Sequence, residues 1–199
     1  MSYWDHQRPV RRARAVDVAQ AAHAAAQLLD EGGLRALTVR AVAQRLEVAP
    51  ASLYSRLSSS EDLVDLALDH ALGQDAELQA ARGEATLHAL MLEYFRHLVR
   101  HPWACQVIAM RAPRGPNYLQ LSERMCVLLI ELGSPDPLGD AYALSNFVIG
   151  SATTAPIAGH EREAPVDARL APQYSALHAA RQEGPEAVLV AGLEALVST

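Results

Sequence analysis

Two short helical patterns separated by a break of three residues occupy the stretch LTVRAVAQRLEVAPASLYSRLSSSEDL, residues 37–63. Thr38 is a good N-cap for the first pattern, and Pro50 suits the first turn of the second. The first pattern repeats apolar residues at helical spacing, at Val39, Val42, Ala43 and Leu46. The second has only Leu53 and Leu57 as buried anchors. A helix buried on one side alone leaves its polar side available for binding.

Helical patterns also account for the rest of the chain. A first helix is expected from about Arg12 to Asp30, ended by Gly32 and Gly33, and a fourth starts in the serine run 58–60. Further helices are predicted over 85–101, 103–110, 118–132, 138–158, 173–183 and 185–197, with a loop over 161–172. Alanine and leucine favour helix, and no segment alternates as a strand would. The fold class predicted is all-α.

Charge is divided unevenly along the chain, whose net charge is -6. Residues 1–57 hold eight arginines against five acidic residues, whereas residues 58–199 hold nine against eighteen. A basic first part and an acidic remainder favour nucleic acid as a partner of the first part only.

Three short helices with a tight turn before the third form a helix-turn-helix pattern. In such motifs the third helix enters the major groove with its N-terminal side chains against base edges. This arrangement explains why the PASLYSRL helix needs only one buried side.

The residues of this motif resemble the DNA-binding domain of the tetracycline-repressor (TetR) family of bacterial regulators. The resemblance lies in LLDEGGLRALTVRAVAQRLEVAPASLYSRLSSSEDLV, and it is most specific in the first third of the chain. Arg100-His101-Pro102-Trp103 and the final GPEAVLVAGLEALV are similar to parts of the family's ligand-binding and dimerisation domain. The resemblance implies an N-terminal DNA-binding domain over 1–73 and a helical effector-binding and dimerisation domain over 74–199.

The resemblance also implies which residues contact DNA. Arg40 is expected to reach a base edge or phosphate, and Tyr54 to donate its hydroxyl to a phosphate. The full set of expected DNA contacts is Arg12, Thr38, Arg40, Pro50, Ala51, Ser52, Tyr54, Ser55, Arg56 and Ser60. A partly buried packing tyrosine is the alternative interpretation of Tyr54, and a solvated surface arginine is that of Arg40.

Two positions depart from the family pattern. Ser60 stands where a basic residue is usual, and Glu47 stands where the turn often has glycine. Both changes predict a weaker attraction to DNA phosphates. The arginines of the N-terminal arm, Arg8, Arg11, Arg12 and Arg14, are expected either to compensate along phosphates or the minor groove, or to remain solvated.

The second part of the chain is expected to form a homodimer and to bind a small-molecule effector. The dimer surface is predicted on Leu138–Ala158 and Glu186–Val197, because their small and apolar residues allow close helix packing. Candidate pocket residues, for which ordinary core packing is the alternative, are Leu87, Met91, Tyr94, Leu98, Trp103, Met110, Tyr142, Asn146 and Ile149. Asn146 is expected to be a buried amide that needs a partner.

These observations lead to the hypothesis of a dimeric transcriptional regulator, a repressor released from a palindromic operator by a small molecule. The sequence contains no nucleophile elbow, phosphate loop or dinucleotide fingerprint, and no cofactor or metal site is predicted. A helical enzyme and a helical adaptor that no longer binds DNA are the alternatives. No apolar run reaches the length of a membrane span and no secretory signal is recognised, so a cytoplasmic protein is expected.

Overall fold

The computed structural model describes residues 2–5 and 16–197, and within these ranges every regular element is helical. The α-helices are α1 (Val18–Gly32), α2 (Val39–Arg45), α3 (Pro50–Leu53), α4 (Ser60–Gln74), α5 (Ala76–Glu84), α6 (Leu87–Arg100), α7 (Pro102–Met110), α8 (Pro116–Glu131), α9 (Pro137–Thr154), α10 (Ala158–Glu163), α11 (Pro172–Ala180) and α12 (Pro185–Val197). Short 3₁₀ turns occupy Tyr3–Asp5, Gly33–Arg35 and Ala155–Ile157. The predicted all-α fold is confirmed.

Local capping determines where the first helices begin. The Thr38 hydroxyl accepts a hydrogen bond from the Ala41 amide at 3.0 Å, and Pro50 occupies the first turn of α3. Ser59 rather than Ser60 caps α4, and Asp62 completes a capping box by accepting the Ser59 amide. Each cap satisfies amides that have no partner inside the helix, which fixes the helix start.

The first four helices form one cluster in which α1 contacts both α4 and α2. The long helices α1 and α4 lie against each other, and α2 packs on α1 and α3. Leu53 and Leu57, the two expected anchors of the α3 region, are both buried, so the prediction for them is confirmed. Because these anchors occupy one side only, the opposite side of α3 faces outward.

The remaining helices form a second layer in which α6 is central. It packs against α5, α7, α8, α9 and α12, and its buried stripe includes Leu90, Met91, Tyr94 and Leu98. The helix α4 also contacts α5, α7 and α8, so it joins the first four helices to this layer.

Several stretches differ from the sequence prediction. The helix α1 begins at Val18 rather than near Arg12, and α11 ends at Ala180 rather than at residue 183. The helix α5 was not expected, because it is short and only Leu78 and Ala81 of it are buried, which is too few to form a clear apolar stripe. The helix predicted over 138–158 ends earlier, at Thr154, and α10 extends into the expected loop. None of the described helices is both long enough and apolar enough to cross a membrane.

Candidate DNA-binding surface and effector domain

The exposed sides of α2 and α3 carry the polar residues that the sequence assigns to DNA. Thr38 and Arg40 are exposed at the start of α2, and the ring of Tyr54 follows α3 with 52% of its surface exposed. The Leu57 amide donates to the Leu53 carbonyl at 3.0 Å, so the helical turn that presents Tyr54 continues past α3. At this exposure about half of the Tyr54 surface is accessible and the other half is covered.

The smaller residues of the expected surface lie beside Tyr54. Pro50, Ala51 and Ser55 are exposed and Ser52 is half-buried. The Ser55 hydroxyl donates to the Ser52 carbonyl at 2.7 Å, which leaves its oxygen lone pairs as acceptors. Ser60 is exposed as the first residue of α4.

Arg56 is placed differently from the expectation of an exposed side chain. Arg56 is half-buried and lies near Tyr3. Burial raises the pKa of the Tyr3 phenol above its ordinary value; Arg56 opposes this shift and Asp62 adds to it. The sequence could not show this, because Tyr3 is 53 positions away. Arg12 and the other arginines of the arm lie outside the described residues.

Glu47 occupies a left-handed backbone conformation in the turn between α2 and α3, with φ of 55°. Among the described residues it is the single non-glycine residue with positive φ. Glycine adopts this conformation without the clash that a Cβ causes. Glu47 therefore replaces the glycine of the family pattern at a position whose backbone geometry favours glycine.

Three aspartates of α4 are buried and hydrogen-bonded, and two of them, Asp65 and Asp69, contact distant parts of the chain. Asp62 accepts from the Ser58 amide at 2.6 Å, and Asp69 accepts from the Asn117 amide at 2.7 Å. Asp65 accepts from the Tyr3 amide at 2.8 Å and lies 3.3 Å from the Arg111 guanidinium. Because buried carboxylates are costly unless paired or hydrogen-bonded, these contacts fix α4 against its neighbours.

A second group of polar contacts lies between α1 and the ends of α4 and α6. Asp75, the N-cap of α5, accepts from buried His97 at 2.7 Å and from Arg100 at 2.5 Å. Asp30 of α1 accepts from the Trp103 indole at 2.6 Å and from His101 at 2.7 Å. The sequence Arg100–Trp103 thus joins the first four helices to the second layer.

The residues predicted to line an effector pocket do not all lie together. Leu87, Met91, Tyr94, Leu98 and Trp103 are buried, and half-buried Ile149 packs against them as part of one core. Met110 and Tyr142 are exposed by 73% and 64%, and Asn146 is exposed too. The expectation of a buried Asn146 amide is wrong, because Tyr142 and Asn146 share the side of α9 opposite its buried residues.

A cavity of about 440 Å³ lies elsewhere, among α9, α10, α11 and α12. Its walls combine apolar Leu177 and Val188 with the polar Tyr174, His178 and Arg181. Sequence patterns did not indicate it, because it depends on how α11 lies beside α10, where Tyr174 and His178 contact Glu161.

An apolar exposed side is shared by α9 and α12. On α12, Leu189 and Leu193 are buried, whereas small or apolar residues are exposed on the other side. The exposed residues are Tyr142, Ala143, Asn146, Gly150 and Thr153 on α9 and Ala187, Val188, Ala191, Glu194 and Ala195 on α12, so the side is mostly small and apolar with a few polar groups. Small side chains such as these allow another helix to approach closely.

Comparison with known proteins identifies the family. Residues 14–67 match the family described as bacterial regulatory proteins, tetR family. Residues 82–193 match the tetracyclin repressor-like C-terminal domain. The chain belongs to the TetR family. This TetR-family chain is therefore a DNA-binding transcriptional regulator, and its relatives are regulators rather than enzymes.

Individual relatives agree with this family assignment. An HTH-type transcriptional regulator of Saccharopolyspora erythraea is 37% identical over 161 residues, which cover 78% of this chain and 68% of that protein. The HTH-type transcriptional repressor DrrR1 of Streptomyces coeruleorubidus is 32% identical over 135 residues, or 65% of this chain and half of that protein (50%). The structure of the TetR family protein ActR of Streptomyces coelicolor in complex with (S)-DNPA is similar with a TM-score of 0.70, 25% identity and coverage of 92% and 96% of the two chains.

Proposed function

We propose that this TetR-family regulator is a dimeric repressor that binds a palindromic operator and is released by a small molecule. Support for DNA binding comes mainly from Tyr54, whose side chain is exposed. The helical turn that contains Tyr54 is anchored on the core by the buried Leu53 and Leu57. Arg40 and Thr38 lie on the exposed side of the preceding helix. These three side chains supply a phenol, a guanidinium and a hydroxyl, which are groups that bind phosphate and base edges.

The dimer would form through the exposed side shared by α9 and α12. This side is rich in small residues, and Leu189 and Leu193 fix α12 on the core from behind. Two such helices from each subunit would make a four-helix interface. A two-fold dimer presents two α3 helices to half-sites one turn of DNA apart, roughly 34–36 Å.

The effector would bind in the second layer of helices, beside the buried stripe of α6. Tyr94 and Tyr118 bring phenol groups into this otherwise apolar region, and burial raises the pKa of both. Two phenols among aliphatic and aromatic side chains suit a largely apolar ligand that also accepts or donates hydrogen bonds. The ActR complex with a small molecule and the repressor DrrR1 support this part of the proposal.

The DNA-binding part is tested by selecting an operator from random DNA and measuring its affinity across a salt series. Tyr54→Phe and Arg40→Ala are each expected to weaken binding about tenfold. Loss of an Arg40 contact to a phosphate lowers the salt slope by about 0.9, whereas Tyr54→Phe removes no charge and keeps the slope. Arg169→Ala is the matched control, because that arginine is exposed in the loop between α10 and α11 and its loss removes the same charge. Unchanged affinity in both variants, with unfolding curves like the wild type, would contradict the residue assignment.

Failure of the selection would favour the adaptor alternative. A chain whose helix-turn-helix no longer reads DNA would enrich no sequence and would show no steep loss of binding with salt. The release step is tested on the operator complex with a library of small molecules. A releasing compound is expected to bind Tyr94→Phe more weakly than the wild type, and equal binding would place the effector elsewhere.

A further inference from the structure

Two histidines face each other between α1 and α4. Nδ1 of His23 lies 3.2 Å from Nε2 of His70, and the two ring centroids are 5.3 Å apart with 71° between the ring planes. His23 is exposed and His70 is half-buried, so solvent reaches both rings. The two residues are 47 positions apart in the chain, which is why no sequence pattern indicated the pair.

The distance between the two facing nitrogens is close to that of a shared metal site. Zn²⁺ binds each imidazole nitrogen at about 2.0–2.1 Å with tetrahedral geometry, so two nitrogens on one ion lie about 3.3–3.4 Å apart. The separation of 3.2 Å between His23 and His70 therefore requires only a tilt of the rings that turns both lone pairs toward the ion.

Proton positions allow this exchange. In the hydrogen-bonded pair, one ring carries its proton on the facing nitrogen and the other ring accepts it. When a metal ion is bound, that proton is carried by the other nitrogen of the same ring. Both imidazoles then stay neutral and each offers a lone pair, which is the form of histidine that binds metals.

The surroundings of the pair favour a cation. His23 and His70 line a cavity of about 420 Å³ bounded by α1, α4, the start of α5 and the end of α6. Its walls include three carboxylates, those of Asp30, Asp75 and Glu77, against one guanidinium, that of Arg100. Asp30 and Asp75 are engaged by the histidine, arginine and tryptophan contacts given above, so they act on a bound ion through their charge rather than as ligands.

The ion has two protein ligands at this site. In the described part of the chain, no group of three or more histidine, cysteine, aspartate or glutamate side chains is placed to hold a metal ion. Water therefore completes the coordination, and the cavity has room for it. Gln27 and Gln74 follow His23 and His70 by one helical turn and line the same cavity, so their amides are available to hydrogen-bond these waters.

We propose that His23 and His70 form a binding site for a divalent transition-metal ion, such as Zn²⁺, that joins α1 to α4. The site goes beyond the proposed function, because it lies apart from both the DNA-binding surface and the effector region. Its ligands come from two helices that meet only in the folded chain. Binding of the ion therefore stabilises the folded first four helices.

Calorimetric titration of the chelator-treated full-length protein with zinc chloride at neutral pH tests the site. His23→Gln and His70→Gln are each expected to bind Zn²⁺ at least about tenfold more weakly than the wild type, since even residues that only orient metal ligands affect affinity by this much. The double variant is expected to lose little more, because a single remaining histidine does not chelate. His160→Gln is the matched control, because it removes an exposed imidazole on α10, outside the cavity, and is expected to keep the wild-type affinity.

Urea unfolding with and without Zn²⁺ shows whether the ion joins the two helices. The ion is expected to move the unfolding midpoint of the wild type and of His160→Gln to higher urea, and to leave the midpoints of His23→Gln and His70→Gln unchanged. Circular dichroism without the metal checks that the variants are folded.

A wild type that binds no Zn²⁺ overturns the inference and leaves the pair as a hydrogen bond between two imidazoles. Equal binding by the wild type and by both single variants also overturns it, because the ion then lies elsewhere. Neither measurement uses DNA, so the result is independent of whether the protein binds an operator.

Discussion

Nδ1 of His97 lies 2.7 Å from Oδ2 of Asp75, and both side chains are buried. Burial lowers the pKa of His97, and the hydrogen bond to Asp75 opposes this shift only in part. Burial raises the pKa of Asp75, but hydrogen bonds from His97, the Leu78 amide and Arg100 outweigh it and hold that pKa well below its ordinary value. The pair at neutral pH is a neutral imidazole that donates to a charged carboxylate.

Stability is expected to fall as the pH drops below the ordinary histidine pKa of about 6.5. The folded chain keeps His97 neutral, whereas the unfolded chain takes up a proton, so acid favours unfolding. Below about pH 6.5, each histidine that is neutral only in the folded chain lowers the free energy of unfolding by up to about 1.4 kcal/mol for each pH unit. Urea unfolding at several pH values between about pH 7 and pH 5 measures it.

His97→Gln is expected to flatten this pH dependence, although it lowers stability at every pH. Some slope will remain, because burial and the neighbouring His23 lower the pKa of His70 as well. His160→Gln, at an exposed position of α10, serves as the control and is expected to keep the full slope. A His97→Gln variant with the wild-type slope would show that His97 does not titrate between the two states.

The two buried aspartates Asp75 and Asp69 are expected to respond differently to replacement by asparagine. Hydrogen bonds hold the pKa of Asp75 low, so its charge stabilises the fold, whereas burial raises the pKa of Asp69 despite its bonds from Asn117. Asp75→Asn retains a good N-cap but loses the charge that His97 and Arg100 contact, and should cost about 2 kcal/mol. Asp69→Asn should cost clearly less. Urea unfolding of both variants at neutral pH compares them, and a larger loss in Asp69→Asn would reverse the argument.

The sequence predicted those features of the fold that depend on neighbouring residues. Thr38 caps its helix, Pro50 starts the next, and Leu53 and Leu57 are buried because helix starts and apolar spacing are local signals. The burial of the three aspartates of α4 was not predicted, because a polar residue is expected to be exposed unless a partner for it is known. The partners of Asp65 and Asp69 are 46 to 63 positions away in the chain.

Only part of the candidate site was predicted, again because sequence patterns give local information. The exposed residues of α2 and α3 followed from the motif, whereas the side of α9 that carries Tyr142 and Asn146 could not be assigned. That helix has small or apolar residues on every side, so spacing alone does not distinguish the core side from the exposed side.

Replacing Glu47 by glycine is expected to raise both stability and DNA affinity. A non-glycine residue with positive φ costs roughly 1 kcal/mol, and glycine removes this strain. Loss of an acid beside the proposed DNA surface reduces repulsion from phosphates. Glu47→Gln separates the two effects, because it removes the charge and keeps the strained backbone.

Urea unfolding and a salt series of operator binding check these expectations for Glu47. Only Glu47→Gly should be more stable, by up to about 1 kcal/mol, while both variants should bind more tightly at low salt. Tighter binding in the glycine variant alone would mean that backbone shape, not charge, limits the DNA contact.

Ala191→Arg is expected to separate the proposed dimer into monomers. Ala191 is exposed on α12, opposite buried Leu189 and Leu193, and an arginine there would place a long, charged side chain between closely packed helices. A cost of about 3 kcal/mol would raise the dimer dissociation constant roughly a hundredfold. Sedimentation equilibrium measures the constant, and circular dichroism checks that the helices remain. Ala80→Arg, at an exposed position of α5, adds the same charge away from this side and should stay dimeric. Equal dissociation constants for the two variants would exclude the α12 side as the dimer interface.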